Sequence, residues 1–309
     1  MNTYRLRIKL KGSFITPLQA DTIFGSLCWI MAWSEGQDAV KEFLSGYING
    51  KPAFVLSDGM PGDLLPAPAH LSLSAQKEGM GFEDYNKTKE IKKVQWLLPN
   101  VFEKVRNGNF DIEPCGRLKT FKSFTTLHSS VNRITGTTAE GGNLFELSEY
   151  AAEQDEISIY IKIRDGWEEK VSSLLNELSK TGYGKKKTSG KGAFEIIKFE
   201  PFKFNDVNGA DGFMSLSNFV PAQCDPTEGF YKIFVKYGKL GGEFTFCGRP
   251  FKKPLIMLTA GSSFRVKEEI KPYYGRMVKD ISPAKPQVVH YGYAFSIPVV
   301  IPHSVEVKT

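Results

Sequence analysis

The first ten residues alternate. Tyr4, Leu6, Ile8 and Leu10 fall on one side and Arg5, Arg7 and Lys9 on the other, the period-two pattern of a half-buried strand. The period then changes. In SFITPLQADTIFGSLCWIMAW, Ile23, Phe24, Leu27, Cys28, Ile30 and Met31 recur as one broad apolar stripe, which predicts a helix with Asp21 as its N-cap. Gly25 lies inside that stripe, where glycine costs about 1 kcal/mol against alanine, so a close packing contact is expected there. Over residues 57–122 the periodicity breaks down. SDGMPGDLLPAPAH is rich in Pro and Gly, a short helix is predicted around residues 85–98, and the whole stretch reads as an insertion outside the central core. HSSVNRITGTTAEGGNLFEL follows as a polar loop running into a short apolar segment.

Order returns with ISIYIKIR, residues 157–164, a cleanly alternating strand. Val171, Leu174, Leu175 and Leu178 then stand at helical spacing. GYGKKKTSGKGAF, residues 182–194, follows that helix directly, and AFEIIKF resumes the strand period. Strand–helix at the front and strand–helix–loop–strand at the back fit a ferredoxin-like β-α-β-β-α-β unit around a long middle. Strand-like runs at 230–237, 255–259 and 291–301 suit a second, smaller unit with less helix. The expected class is α+β: two ferredoxin-like (RRM-like) domains, 1–200 with the insertion and 201–309.

Composition narrows this little. The 309 residues are 41% hydrophobic and 24% charged, with 23 Phe and 12 Tyr, which suits a strand-rich globular core. A net charge of +6 allows a polyanionic partner without requiring one. The alternating start is unlike a signal peptide, and no apolar run reaches the roughly 18 residues of a membrane helix. Cys28, Cys115, Cys224 and Cys247 are scattered, without CxxC or a histidine at ligand spacing. That argues against a disulfide framework and a zinc site, and for a cytoplasmic protein with reduced thiols.

The glycine–lysine loop holds four glycines, four lysines and no acid. A Walker A loop needs G-x-x-x-x-G-K-[ST] between a strand and a helix. Here Gly190-Lys191 is followed by Gly192, position 185 is lysine, and the loop lies after a helix and before a strand. A dinucleotide fingerprint fails on the same order of elements. Two readings remain. One is a helix C-cap at Gly182 followed by solvated lysines and a glycine-rich lead into a strand. The other is a cradle for a nucleic-acid backbone, in which Gly182, Gly184, Gly190 and Gly192 allow close approach and expose N–H groups. Lys185, Lys186, Lys187, Lys191, Thr188 and Ser189 would then donate to successive phosphates.

A second basic stretch runs from Arg249 to Pro286, with nine Lys or Arg, including Arg249 and Lys252, against three acids. Phe251, Phe264, Tyr273 and Tyr274 are interleaved in it. Such a mixture suits single-stranded RNA, and equally a solvated face over core aromatics. Arg133, with Asn132 beside it in a polar glycine-bearing loop, is a further candidate for backbone contact. The alternative there is a turn with an exposed arginine.

The form G-x-G-K-x-x-x-S-G-x-G-x-F, on Gly182, Gly184, Ser189, Gly190, Gly192 and Phe194, resembles the glycine-rich signature of the RAMP superfamily of CRISPR proteins. FITPLQADTIFGSLCW, HSSVNRITGTTAEGGNLFE, GSSF and HYGYAFSIPVVI are similar to segments of the family of the fourth Csm subunit of type III-A effectors. The resemblance spans nearly the whole chain. It implies two ferredoxin-like units and a subunit that caps the 5′ handle of a CRISPR RNA. It also implies contacts with a large polymerase-like subunit on one side and a RAMP backbone subunit on the other, in antiviral defence.

An endoribonuclease would need a general base near a 2′-hydroxyl. Of His70, His128, His290 and His303, His128 in the polar loop is best placed, although a histidine there also suits hydrogen bonding or RNA contact. The front helix, where a RAMP nuclease could carry its histidine, has none between residues 14 and 33. Asp21, Glu35 and Asp38 fall at helix ends, and Glu153, Asp155 and Glu156 precede a strand, so no carboxylate cluster is evident. The expectation is a non-catalytic RNA-binding subunit without cofactor or metal. An endoribonuclease using His128 as general acid/base is the alternative, and a protein-docking scaffold a third reading.

Overall fold

The computed structural model describes residues 1–71, 89–113, 116–132, 134–138, 144–154 and 156–302. In chain order the elements begin with β1 (Asn2–Leu10), α1 (Ala20–Glu35), α2 (Gln37–Ile48), β2 (Phe54–Leu56), β3 (Met60–Pro61), β4 (Leu65–Pro66), β5 (Trp96–Leu97) and α3 (Pro99–Arg106). A hairpin, β6 (Phe121–Ser129) with β7 (Leu144–Ala152), precedes β8 (Glu156–Ile163), α4 (Glu168–Thr181) and β9 (Phe194–Pro201). Seven short strands follow among the described residues: β10 (Gly212–Ser215), β11 (Gly229–Phe230), β12 (Ile233–Lys236), β13 (Leu255–Leu258), β14 (Ser263–Arg265), β15 (Tyr273–Gly275) and β16 (Tyr293–Val299).

β1 lies inside the first sheet, in the order β2-β8-β1-β9. Its alternation buries Leu6 and Ile8 and sends Arg5 and Arg7 to ion pairs with Glu200 and Glu156. The second sheet runs β11-β14-β10-β16-β15. All pairs of named strands are antiparallel, as an α+β fold requires.

α1 forms where its stripe predicts, but Asp21 does not cap it. The helix begins at Ala20, whose N–H donates to Asp58 Oδ1 at 2.8 Å. Burial raises the Asp58 carboxyl to about 7, against the pull of that hydrogen bond. Asp21 sits one residue inside the helix, where Lys236 from β12 reaches it at 2.5 Å. Gly25 also departs from expectation. A Cβ there would meet nothing within 4 Å, so its helix cost is not matched by a close contact. α2 was not anticipated, although Val40, Phe43, Leu44 and Tyr47 repeat at helical spacing and Phe43 and Tyr47 are buried.

Residues 57–122 are not a peripheral insertion. Met60 and Pro61 pair with β8 in the first sheet, and Leu65, Leu97, Phe102 and Val105 belong to the main core. His70 Nδ1 lies 2.8 Å from Ser263 Oγ, and Val300 N–H donates to Arg106 O, tying this stretch to the second sheet. Of the helix expected around residues 85–98, residues 85–88 lie outside the described residues, residues 89–91 are helical, and Trp96 and Leu97 are strand.

The boundary expected at residue 200 does not divide the packing. One core cluster holds Phe24, Tyr47 and Phe54 together with Tyr291, Tyr293 and Phe295. Tyr291 stacks on Phe24 at 4.5 Å and accepts the Leu56 N–H, and Tyr293 donates to Tyr47 O at 2.5 Å. Aromatic pairs of this kind contribute about 0.5–1.5 kcal/mol each beyond their buried area. Among the described residues after 201 there is no α-helix, only a 3-10 turn at Gly242–Phe246.

Candidate nucleic-acid interface

Three segments far apart in sequence meet at one end of β1. The glycine–lysine loop begins at Gly182, the C-cap of α4, whose N–H donates to Leu178 O. Tyr183 anchors it: the ring is buried, its hydroxyl donates to Pro17 O at 2.6 Å, and its N–H donates to Gly192 O. The chain turns so tightly here that a Cβ on Gly192 would lie 2.0 Å from Tyr183 O, and Gly192 has φ +68. Only glycine fits that position. Gly184 is similarly crowded by Thr16, which also accepts the Lys185 N–H. Gly12, two residues after β1, approaches Gly190, and Gly192 N–H donates to Ser13 O.

The anchoring uses up much of the loop's backbone. The N–H groups of Tyr183, Lys185, Ser189, Gly190, Lys191 and Gly192 all bond within the protein, the middle three closing a short 3-10 turn on Lys186 and Lys187. The expectation that glycines expose N–H donors to phosphates therefore fails for these positions. The glycines serve the fold of the loop, and what it offers outward is side chains. Lys185, Lys186, Lys187, Thr188 and Ser189 are all exposed. Lys186 takes a left-handed backbone (φ +60), a conformation disfavoured for a residue with a Cβ.

The hairpin is the second segment, and the sequence reading missed it. Ladder pairing runs from Phe121↔Ala152 to Ser129↔Leu144, with a further bridge at Val131↔Thr138. Phe14 locks its base: N–H and C=O groups of Phe14 and Tyr150 exchange bonds of 2.9 and 2.7 Å, and the two rings stack. The outer part is open, with Leu127, Leu144 and Ile134 well exposed.

Alternation places Thr126, His128, Phe145 and Glu149 on one face of the hairpin. Glu149 is the hub. Its carboxylate accepts from Lys191 Nζ at 2.6 Å, from Thr126 Oγ1 at 2.8 Å and from Ser13 Oγ. These bonds to Lys191 and Ser13 hold the carboxyl down at about 2. Lys191 is thus committed to a structural ion pair and is not a free phosphate donor. With its proton given to Glu149, the Thr126 hydroxyl accepts from His128 Nε2, 2.9 Å away. The His128 ring stacks on Phe145 at 5.6 Å, and Lys186 Nζ stands 5.7 Å from the Phe145 centroid. The result is an exposed aromatic–lysine surface along the hairpin.

The remaining candidates scatter. Asn132 is at the hairpin tip, where its side chain accepts the Ile134 N–H and its carbonyl the Gly136 N–H. It shapes the turn. Arg133 lies outside the described residues. Arg249 is exposed after the 3-10 turn. Lys252 is half-buried, and burial lowers its pKa, partly offset by Asp21. Phe264 and Tyr274 from the same basic stretch are core residues, the solvated-face alternative for that part of the chain. Glu149 and Phe145 escaped the sequence reading because only the hairpin register brings them beside the loop.

This mixed fold of helices and antiparallel sheets matches chains in solved Csm4-containing complexes. It matches a chain in the crystal structure of a Csm1–Csm4 cassette in complex with cA4, with TM-score 0.67, 18% identity, and coverage of 97% of this chain and 99% of that one. A Csm3–Csm4 subcomplex of the type III-A interference complex gives TM-score 0.59 at 14% identity, covering 94% of this chain and 99% of that one. In sequence, the chain is 25% identical over 307 residues to the CRISPR system Cms protein Csm4 of Thermococcus onnurineus (strain NA1), covering 96% of each. The resemblance to the fourth Csm subunit is borne out. No protein-family model matches the chain. Among the described residues, no helix is long and apolar enough to cross a membrane.

Proposed function

We propose that this chain is a non-catalytic RNA-binding subunit of a type III-A CRISPR effector, acting in antiviral defence in the cytoplasm. It holds the 5′ handle of the CRISPR RNA and joins the large subunit to the first backbone subunit. The observation that carries this is the rigid loop presenting Lys185, Lys186 and Lys187 beside the exposed His128–Phe145 stack. Lysines beside stacking rings suit a single strand, with phosphates on the ammonium groups and bases on the rings. The partners follow from the Csm1–Csm4 and Csm3–Csm4 assemblies of the structural neighbours.

The strand order β2-β8-β1-β9, with α1 and α4 between successive strands, supports a ferredoxin-like reading of the first unit. The second unit keeps the sheet without α-helices among its described residues. A histidine near a carboxylate is also what a nuclease would want. Here Glu149 is held by Lys191, Ser13 and Thr126, and stands 3.7 Å from His128, so its charge is spent on structure.

Crosslinking of a CRISPR RNA in the complex assembled with the large and backbone subunits tests the reading. Adducts between handle nucleotides and residues 185–187 are expected, and handle adducts elsewhere would remove the handle from this site. Repeat RNA incubated with the full chain is expected to stay intact. Cleavage lost in His128→Ala would replace this reading with the endoribonuclease.

A further inference from the structure

A second aromatic–lysine surface starts at the loop and leads away from the hairpin. Lys187 Nζ stands 5.4 Å from the Trp33 ring near the C-terminus of α1. Trp33 contacts Trp29 one turn back at 5.9 Å, and Trp29 meets Phe244 edge-on at 5.2 Å. Lys285 Nζ lies 5.1 Å from the Phe244 ring. The turn carrying Phe244 is pressed onto α1: a Cβ on Gly241 would lie 2.7 Å from the Trp29 indole nitrogen. The ridge is thereby fixed to the helix. It is also open, with Trp33 53% and Phe246 91% exposed.

Its chemistry selects an occupant. Large exposed rings alone would suit a protein neighbour, but lysine is depleted from the cores of protein interfaces. Here Trp33 and Phe244 each carry a lysine ammonium over the face, and Phe251 is paired with Lys239 in the same way. Cations interleaved with rings at contact spacing fit a polyanion with stackable bases.

We propose that this ridge is a second binding track for single-stranded RNA, continuous with the loop through Lys187 and separate from the hairpin face. This rests on the reading of the chain as an RNA-binding subunit. A base stacks on Trp33, the adjoining backbone runs over Lys187, and the strand continues toward Phe246 and Lys285.

The test uses the full-length chain and a labelled uridine-rich single-stranded RNA containing 4-thiouridine. Trp33→Ala and Phe246→Ala are each expected to weaken binding about 5- to 150-fold, the range for loss of one stacked base. The salt dependence should stay unchanged, because no charge is removed. Adducts should appear at Trp33 or within residues 242–251. Both side chains are exposed, and an unchanged Tm verifies that each variant is folded. Wild-type affinity in both variants, with adducts confined to the loop and hairpin, overturns the ridge and leaves the loop reading standing. Wild-type affinity in these variants and in the Lys185/Lys186/Lys187 triple alanine variant overturns both. Normal RNA binding by Trp33→Ala with loss of a neighbouring subunit would make the ridge a protein interface and also overturn the proposal.

Discussion

Replacing Lys185, Lys186 and Lys187 together by alanine is expected to weaken RNA binding about 10- to 100-fold near physiological salt, and to flatten its salt dependence. Each phosphate contact to a single strand contributes about 0.7 to the slope of log K against log salt, so removing three lowers that slope by about 2. The fold should tolerate the change. All three side chains are exposed, and the loop is held by Tyr183, Gly192 and Thr16 through groups the substitutions leave in place. Lys186 already occupies a left-handed backbone, and alanine there inherits the same conformation. Binding measured over a salt series decides the matter. A slope equal to wild type would mean that these lysines face solvent in the bound state.

Lys191→Ala should behave differently, although it removes the same charge from the same loop. Lys191 closes the site from inside, so its loss leaves Glu149 with a covered and partly uncompensated carboxylate. Breaking a fully buried pair costs about 3–5 kcal/mol. Lys191 is one-quarter exposed and Ser13 and Thr126 remain as donors, so about 2 kcal/mol is expected here. The pH dependence identifies the cause. With its folded value near 2 and an ordinary value of 4.5, Glu149 contributes stability above about pH 4.5 that is lost as pH falls toward 2. Without Lys191 its folded value rises and that contribution shrinks. The Tm difference between wild type and variant should be greatest near pH 7 and close as acid protonates Glu149 in both. A difference independent of pH would show that the loss is one of packing alone.

The contrast between these lysines marks how far the sequence could be read. β1, α1, β8, α4 and β9 were legible because each buries one face, and burial imposes a period on the residues. The hairpin was not. Both its faces are largely open beyond Tyr150, so no apolar alternation advertises it, and its polar connection reads as loop. Residues 57–122 misled for the opposite reason: strands as short as Met60–Pro61 and Leu65–Pro66 cannot show a period, yet they are buried. α2 carried a plain helical repeat and could have been found. In the site, composition located the loop, but it could not separate Lys191 from its neighbours. That distinction depends on Glu149, which is 42 residues away in sequence.

Tyr291 and Tyr293 have a bearing on how the protein is made. They lie just before and at the start of β16, and their hydroxyls bond backbone groups of Leu56 and Tyr47. A ribosome therefore has to deliver the segment through Tyr293 before the layer between α1, α2 and β2 can close. The segments around α1 and β2 therefore wait on residues more than 230 positions later, so this layer should close only after those residues have emerged. Nascent chains stalled before residue 290 should stay protease-sensitive across residues 20–56, and chains carrying a C-terminal linker long enough to bring residue 302 out of the exit tunnel should become resistant. Early protection of the stalled chains would mean that the front half closes without the tyrosines.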